Sequence, residues 1–240
     1  MISEVAACCR ELRLSQNIVE TAEKIKAESH LDFLVQLFRS ELEYREHKRI
    51  DKLLKKAGFY CLKDFSGFKF DEVTLPSSVT QEYLKNCDFL ETKSNVVMYG
   101  NVGTGKTFLS IALGVEACRK GIETRFFRTA ALVNRLSEEK QKGTLSKFMK
   151  QILKSELLIL DEWGYVPLDR LGAQLLFEII SECYERKSLI INTNIEFSRW
   201  VNVFYDKQMT SAIVDRILHH CHLLLFEGQS HRIKESGLRE

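Results

Sequence analysis

The chain has 240 residues, 45% of them hydrophobic and 28% charged, which is enough for one sizeable core plus a smaller appended unit and far from the apolar-poor composition of a disordered protein. Its 35 basic and 33 acidic residues leave a formal net charge of +2, so bulk charge makes no case for nucleic acid or an anionic membrane; such a case has to come from local clusters. No run of about 18 apolar residues is present, and the opening "MISEVAACCRELRL" carries acids and lacks an apolar signal core, so no membrane segment and a cytoplasmic location are expected.

Residues 1–62 read as a helical unit. In "LDFLVQLFRSELEYREHKRIDKLLKKAG" the apolar residues Leu31, Leu34, Leu37, Phe38 and Leu42 recur at helical spacing and Gly58 marks a stop. The stretch from Arg45 to Lys56 is basic, with Arg45, Lys48, Arg49, Lys52, Lys55 and Lys56 against Glu46 and Asp51. It is either a solvated helix face or a nucleic-acid contact. After "CLKDFSGFKF" and Pro76 the texture changes, and residues 63–240 read as a second domain. Apolar runs of strand length alternate there with amphipathic runs of helix length: 95–99, 124–128, 156–161, 188–192 and 222–227. That alternation predicts a mainly parallel sheet with helices on both faces. The most one-sided helix is expected between the third and fourth strands, carrying Leu175, Leu176, Ile179, Ile180, Cys183 and Tyr184. The seven cysteines are scattered without a Cys-x-x-Cys spacing, which is reduced, cytosolic usage. The run His219, His220, Cys221, His222 reads as a helix end entering a strand, since no second ligand pair lies at zinc-finger spacing.

The chemistry is carried by four short stretches. Gly100, Gly105, Lys106 and Thr107 fit Gly-x-x-x-x-Gly-Lys-Ser/Thr between a strand and a helix. In such a loop (Gly100, Asn101, Val102, Gly103, Thr104, Gly105, Lys106, Thr107, with Phe108 behind it) backbone N–H groups surround phosphate oxygens. Lys106 reaches the β- and γ-phosphates and Thr107 offers a hydroxyl to Mg²⁺. "LLILDE" then puts Asp161 where it can hold Mg²⁺ and Glu162 where it can polarise an attacking water, so hydrolysis is expected. No Asn-Lys-x-Asp is present to read guanine, which favours ATP. The fourth strand ends "INTN"; Asn194 is the candidate to bond both the γ-phosphate and the lytic water, with Asn192 as its competitor and a plain turn as the bland reading. Arg216, in "MTSAIVDRILHH", is either a surface arginine paired with an acid such as Asp215 or a functional group.

Taken in order, "LLILDEWGYVPLDRLGAQLLFEIISECYERKSLIINTNIEFSRW" (157–200) and "SAIVDRILHHCHLLLFEGQSHRIKES" resemble the IstB-type ATPases, helper proteins of bacterial insertion sequences and kin of the DnaC-type helicase loaders in the AAA+ superfamily. The resemblance covers nearly the whole chain. It implies an AAA+ P-loop domain with a parallel sheet behind a small all-helical N-terminal domain. Gly100–Thr107 would be Walker A, Asp161 and Glu162 Walker B, and Asn194 sensor 1. Arg216 would be an arginine finger given to a neighbouring subunit, hence a homo-oligomer with active sites at subunit interfaces. Arg232 falls where the family has an arginine. Trp163 stands where the family often has leucine or a small residue, and "INTN" replaces "ITSN" or "ITTN"; neither removes a catalytic group. The implied role is ATP-dependent binding of target duplex DNA with recruitment and stimulation of a partner transposase. Helicase loading is the alternative, and a small-molecule kinase using the same loop is a more remote rival. Loader-type relatives have an additional helix between the second and third strands that faces DNA. Within it, Lys140–Lys154 ("KQKGTLSKFMKQILK") holds Lys140, Lys142, Lys147, Lys150 and Lys154 and no acid. Together with Arg45, Lys48, Arg49 and Lys52 it forms the expected DNA surface, contacting mainly phosphates with weak sequence preference.

Overall fold

The structure, a computed structural model, describes residues 2–204 and 206–231. It divides into two compact units, Met1–Lys52 and Leu53–Glu240. The first holds α1 (Ile2–Glu11), α2 (Asn17–Lys24) and most of α3 (His30–Ala57), which runs across the boundary. Its core is small: Cys9, Ile18 and Leu37 are buried, with Leu14, Ala22, Ile25 and Phe33 packed around them. Of the apolar residues that recur at helical spacing on α3, Leu37 is covered, while Leu31, Leu34, Phe38 and Leu42 are exposed. The two short helices α1 and α2 shield only one flank of a helix of 28 residues. Glu41, 4% exposed, accepts from the Ser15 backbone N–H at 2.9 Å and from Arg45 Nε at 2.7 Å, and also from the Ser15 hydroxyl. Burial pushes its carboxyl up, but the Ser15 and Arg45 contacts outweigh that and hold it below the usual carboxylate value.

In the second unit β1 (Val73–Thr74) and α4 (Gln81–Lys85) precede β2 (Asn95–Gly100), α5 (Lys106–Arg119), β3 (Thr124–Arg128), α6 (Thr129–Gln141), α7 (Leu145–Ile152) and β4 (Leu157–Trp163). Then come α8 (Arg170–Cys183), β5 (Ser188–Thr193), α9 (Val201–Phe204), α10 (Lys207–Leu218) and β6 (Cys221–Phe226). The sheet order is β1-β6-β2-β5-β4-β3. All neighbours are parallel except β1 against β6.

Side-chain alternation along the strands sorts the apolar runs into two cores, one on each face. Val97, Leu158, Leu160, Leu189 and Ile191 face a layer built with α6, α7, α8 and α10. Val96, Met98, Leu157, Ile159 and Ile190 face α5. Each of these fully buried side chains contributes about 1.5–3 kcal/mol from loss of water contact. Helix starts are set by short polar side chains: Asp169 accepts from the Gly172 N–H at 2.7 Å to open α8, and Asp206 from the Met209 N–H at 2.7 Å to open α10. The strand order has one consequence for function. β5 lies between β2 and β4, so three loops meet at the carboxyl ends of adjacent parallel strands, the usual place for a ligand in an open α/β sheet.

Candidate functional site

The phosphate-loop sequence occupies the turn from β2 to α5. Glycine is required at Gly100, where φ is +153° and a Cβ would sit 2.1 Å from the Phe226 carbonyl oxygen of the adjacent strand. It is also required at Gly105, the residue before α5, where φ is +98°. Thr104 donates its hydroxyl to the Asn101 carbonyl at 2.8 Å. Lys106 Nζ donates to the Gly100 carbonyl at 2.7 Å and also to that of Asn101. The chain after β6 returns to the same loop, with the His231 N–H donating to the Gly103 carbonyl at 3.0 Å. Arg232 lies outside the described residues.

Thr107, in the first turn of α5, donates its hydroxyl to both Asp161 carboxylate oxygens, at 3.0 and 3.1 Å. Asp161 is 3% exposed and receives a further bond at 2.8 Å from Asn192 Nδ2, which also reaches Ser110 Oγ at 2.9 Å. The next residue faces the other way. A register irregularity in the β4–β5 ladder falls between Leu160 and Trp163, and Glu162 there has φ +55°. This is the kind of local bulge that re-aims side chains beside functional sites. Asp161 is thereby sunk toward Thr107, while Glu162 is exposed at the cavity wall. Trp163 then locks the strand end, completely buried against Trp200 and Phe204 with ring centroids 5.2 Å away in each case. An indole is accommodated at this position because these two rings line its pocket.

Lys106, Thr107, Asp161, Glu162, Asn192 and Asn194 all line one cavity of about 460 Å³. Its far wall brings in residues that no motif marked: Tyr60, Cys61 and Lys63, from the segment just after α3. Arg128, at the tip of β3, has its Nε 3.9 Å from Glu162 Oε1 and its guanidinium 5.7 Å from the centre of the Tyr60 ring. Asn192 and Asn194 are distinguished by their surroundings. Asn192 is buried with its amide nitrogen committed to Asp161 and Ser110, whereas Asn194 is half-buried and has no such bond; the Oδ1 of each is buried without a hydrogen-bond partner among the described residues. Arg216 is not among the residues lining this cavity. It sits on α10 with its Nη1 on the Ala212 carbonyl at 2.9 Å and its guanidinium 5.2 Å from the centre of the Phe177 ring.

The family described as IstB-like ATP binding protein matches residues 11–238 of this sequence. The chain belongs to the IstB-like family. One similar relative is an insertion sequence IS232 protein of Bacillus thuringiensis subsp. berliner whose name carries "ATP-binding". It is 36% identical over 88% of this chain and 85% of its own length. Among solved structures, the DnaC helicase loader aligns with 28% identity and a TM-score of 0.51 over 63% of this chain and 91% of its own. AMPPCP-bound DnaA from Aquifex aeolicus shares the fold, with 24% identity and a TM-score of 0.51 over 66% of this chain and 52% of its own.

In this IstB-like chain the lysine-rich stretch spans the end of α6 and all of α7. Phe148 and Ile152 anchor α7 to the core, and Lys147, Lys150 and Lys154 are exposed; Lys140, in the last turn of α6, and Lys142, just after it, are exposed too. In the first unit Lys48, Arg49 and Lys52 are exposed on α3. Arg49 lies 3.6 Å from Glu46, and the Lys48 ammonium 5.4 Å from the centre of the Tyr44 ring. Arg45 has its guanidinium engaged inside the unit, on Glu41 and on the Arg13 carbonyl. Of the His219–His222 run, His219 and His220 are exposed at the end of α10, and Cys221 and His222 belong to β6. Among the described residues no helix is long and apolar enough to cross a membrane.

Proposed function

We propose that this IstB-like protein is an ATPase that assembles on duplex DNA in its ATP-bound form and recruits and stimulates a partner transposase, with hydrolysis resetting the assembly. The observation that carries the reading is the junction of the phosphate loop with the acidic pair. Thr107 and Asn192 hold Asp161 in the floor of the cavity, and Glu162 stands at its wall.

The residues present fit Mg²⁺ and ATP. The hydroxyl of Thr107 and the carboxylate of Asp161, within 3.1 Å of each other, are hard oxygen donors of the kind Mg²⁺ takes. Mg²⁺, when bound, neutralises charge on the β- and γ-phosphates. Lys106 reaches those phosphates by turning from the Gly100 and Asn101 carbonyls. Glu162 takes the proton from the attacking water, and Asn194 orients that water through the amide oxygen that now lacks a partner. Asn192 acts at one remove by fixing Asp161. Arg216, away from its own cavity, serves the neighbouring subunit's site, which makes turnover depend on assembly.

DNA is held by the exposed row Lys147, Lys150 and Lys154 with Lys140 and Lys142, and by Lys48, Arg49 and Lys52. Arg45 contributes less because its guanidinium is already engaged. Residues 1–62 act as the DNA, oligomer or partner contact and 63–240 as the AAA+ ATPase domain of a cytoplasmic protein. Helicase loading stands as the second reading, favoured by the 28% identity to the DnaC loader. Capture of a transposase rather than a replicative helicase by the ATP-bound protein separates the two. Sedimentation velocity tests the assembly itself: with duplex DNA, Glu162→Gln is expected to form large particles only when Mg²⁺ and ATP are both present. Particles that form equally well without nucleotide would sink the reading.

A further inference from the structure

The run His219, His220, Cys221 and His222 is not used by the nucleotide site, and the fold takes it apart. Cys221 and His222 enter β6, where burial pushes the Cys221 thiol up to about 12 and His222 Nε2 lies 3.2 Å from the Tyr83 hydroxyl. His219 and His220 stay at the end of α10, exposed, with ring centroids 4.1 Å apart. A third group arrives from a place the sequence did not suggest: Glu185, in the turn between α8 and β5, whose Oε1 is 3.9 Å from His219 Nδ1. The ligand atoms of Glu185, His219 and His220 all lie within 4.8 Å of one another. We propose that these three side chains form a binding site for a divalent first-row transition ion, zinc above all, at the pole of the sheet opposite the nucleotide cavity.

The position follows from topology. The cavity sits at the carboxyl ends of the parallel strands, whereas Glu185 precedes β5 and His219 and His220 precede β6. The donor set decides the class of ion. Two imidazoles and one carboxylate suit zinc, cobalt, nickel or copper, and not the all-oxygen preference of Mg²⁺ or Ca²⁺. Zinc bonds of about 2.0–2.1 Å put tetrahedral ligand atoms about 3.4 Å apart. Exposed side chains close the remaining gap by small rotations, without moving α10 or β5.

The setting is prepared in two respects. The Tyr184 hydroxyl lies 2.9 Å from His219 Nδ1, restraining that ring beside Glu185. Glu185 itself is held at φ +56°, a left-handed conformation that glycine would adopt more easily. Nearby charge is compatible with a cation: Asp215 stands one turn before His219 on α10, and Arg186 is paired with Glu182 at 3.2 Å. Three protein ligands leave a fourth position open at the surface, as in sites that exchange water or accept a ligand from outside.

Calorimetric titration of the full-length, nucleotide-free protein with Zn²⁺ alone tests the site, with visible absorption of the Co²⁺ form as a second readout. One ion per chain is expected. His219→Ala, His220→Ala and Glu185→Gly should each weaken it at least about tenfold, since loss even of an outer-shell partner costs that much. Glu185→Gly relieves the left-handed residue, so it should melt no lower than the parent while losing the ion, which separates loss of a ligand from loss of the fold. His47→Ala, an exposed histidine on α3, should bind normally, as should Asp161→Asn. Absence of uptake overturns the proposal. So does uptake that survives the three variants or disappears with Asp161→Asn.

Discussion

Replacing Asn192 by alanine separates the two asparagines at the end of β5. Asn192 is 2% exposed, and its amide donates to Asp161 at 2.8 Å and to Ser110 at 2.9 Å. Losing a bond to a charged, buried carboxylate costs about 1.5–3 kcal/mol, and the neutral bond to Ser110 adds about 1 kcal/mol, so about 3 kcal/mol is expected. For a chain of this size that lowers Tm by about 6–12 °C. Asp161 also loses one of the two side chains that orient it, so the Mg²⁺ concentration needed for half-maximal turnover should rise about 10- to 100-fold. Asn194→Ala removes no such bond. It should melt near the wild-type temperature and keep the wild-type Mg²⁺ dependence while turning over at least about tenfold more slowly. Thermal unfolding and ATPase rates across a Mg²⁺ titration read both variants. If Asn192→Ala melts like the wild type, or if Asn194→Ala is the variant whose Mg²⁺ dependence moves, the division of roles is wrong.

Further outcomes are expected. Glu162→Gln should bind ATP normally while hydrolysing it about 10²–10⁴-fold more slowly, read by nucleotide binding beside phosphate release. Changing Lys147 and Lys150 together to alanine should weaken duplex binding for all sequences alike and reduce the slope of log affinity against log salt by about 2; an unchanged slope would clear α7 of the role. Maleimide labelling should modify exposed Cys8 with or without nucleotide and should label Cys61, on the cavity wall, more slowly when ATP and Mg²⁺ are present. Burial pushes the thiols of Cys87, Cys183 and Cys221 up to about 12 from an ordinary value near 9.0. They are therefore neutral in the fold where the unfolded chain ionises them: their stabilisation is complete below pH 9 and is lost as pH rises from there toward 12, so denaturant midpoints should fall progressively over that range. Glu41 acts in the opposite sense: its lowered carboxyl stabilises the first unit above the ordinary carboxylate value of 4.5 and ceases to do so as pH falls through and below it.

The strands were the most legible part of the chain, and the reason is physical. A parallel sheet covered on both faces needs continuous apolar runs, and "NVVMY", "TRFFR" and "SLIIN" lie within β2, β3 and β5, with no more than one further residue in any of them. β1 escaped because two residues, Val73 and Thr74, carry no pattern. The phosphate loop was legible because Gly100 and Gly105 are demanded by backbone geometry. Less of the surrounding site could be read. The contact between Asn192 and Asp161 depends on β5 being inserted between β2 and β4, and strand order is not written in local sequence. The opposite facings of Asp161 and Glu162 come from an irregularity in the ladder. Tyr60 and Arg128 come together only in the fold, as do Glu185 and the two histidines 34 and 35 positions later. The exposure of Leu31, Leu34, Phe38 and Leu42 could not be read either, because periodicity shows that a helix has an apolar face and not whether anything covers it.

On the proposed function, one subunit completes the active site of the next. Arg216→Ala and Glu162→Gln each remove one half of that joint site, so each alone should lose nearly all ATPase activity, about 10³-fold or more for the arginine. In an equimolar mixture some interfaces pair the intact Glu162 of one protein with the intact Arg216 of the other. Mixing should restore a substantial fraction of wild-type turnover, rising with protein concentration; a mixture no more active than the sum of its two components, under conditions where the proteins assemble, would contradict completion of one subunit's site by the next.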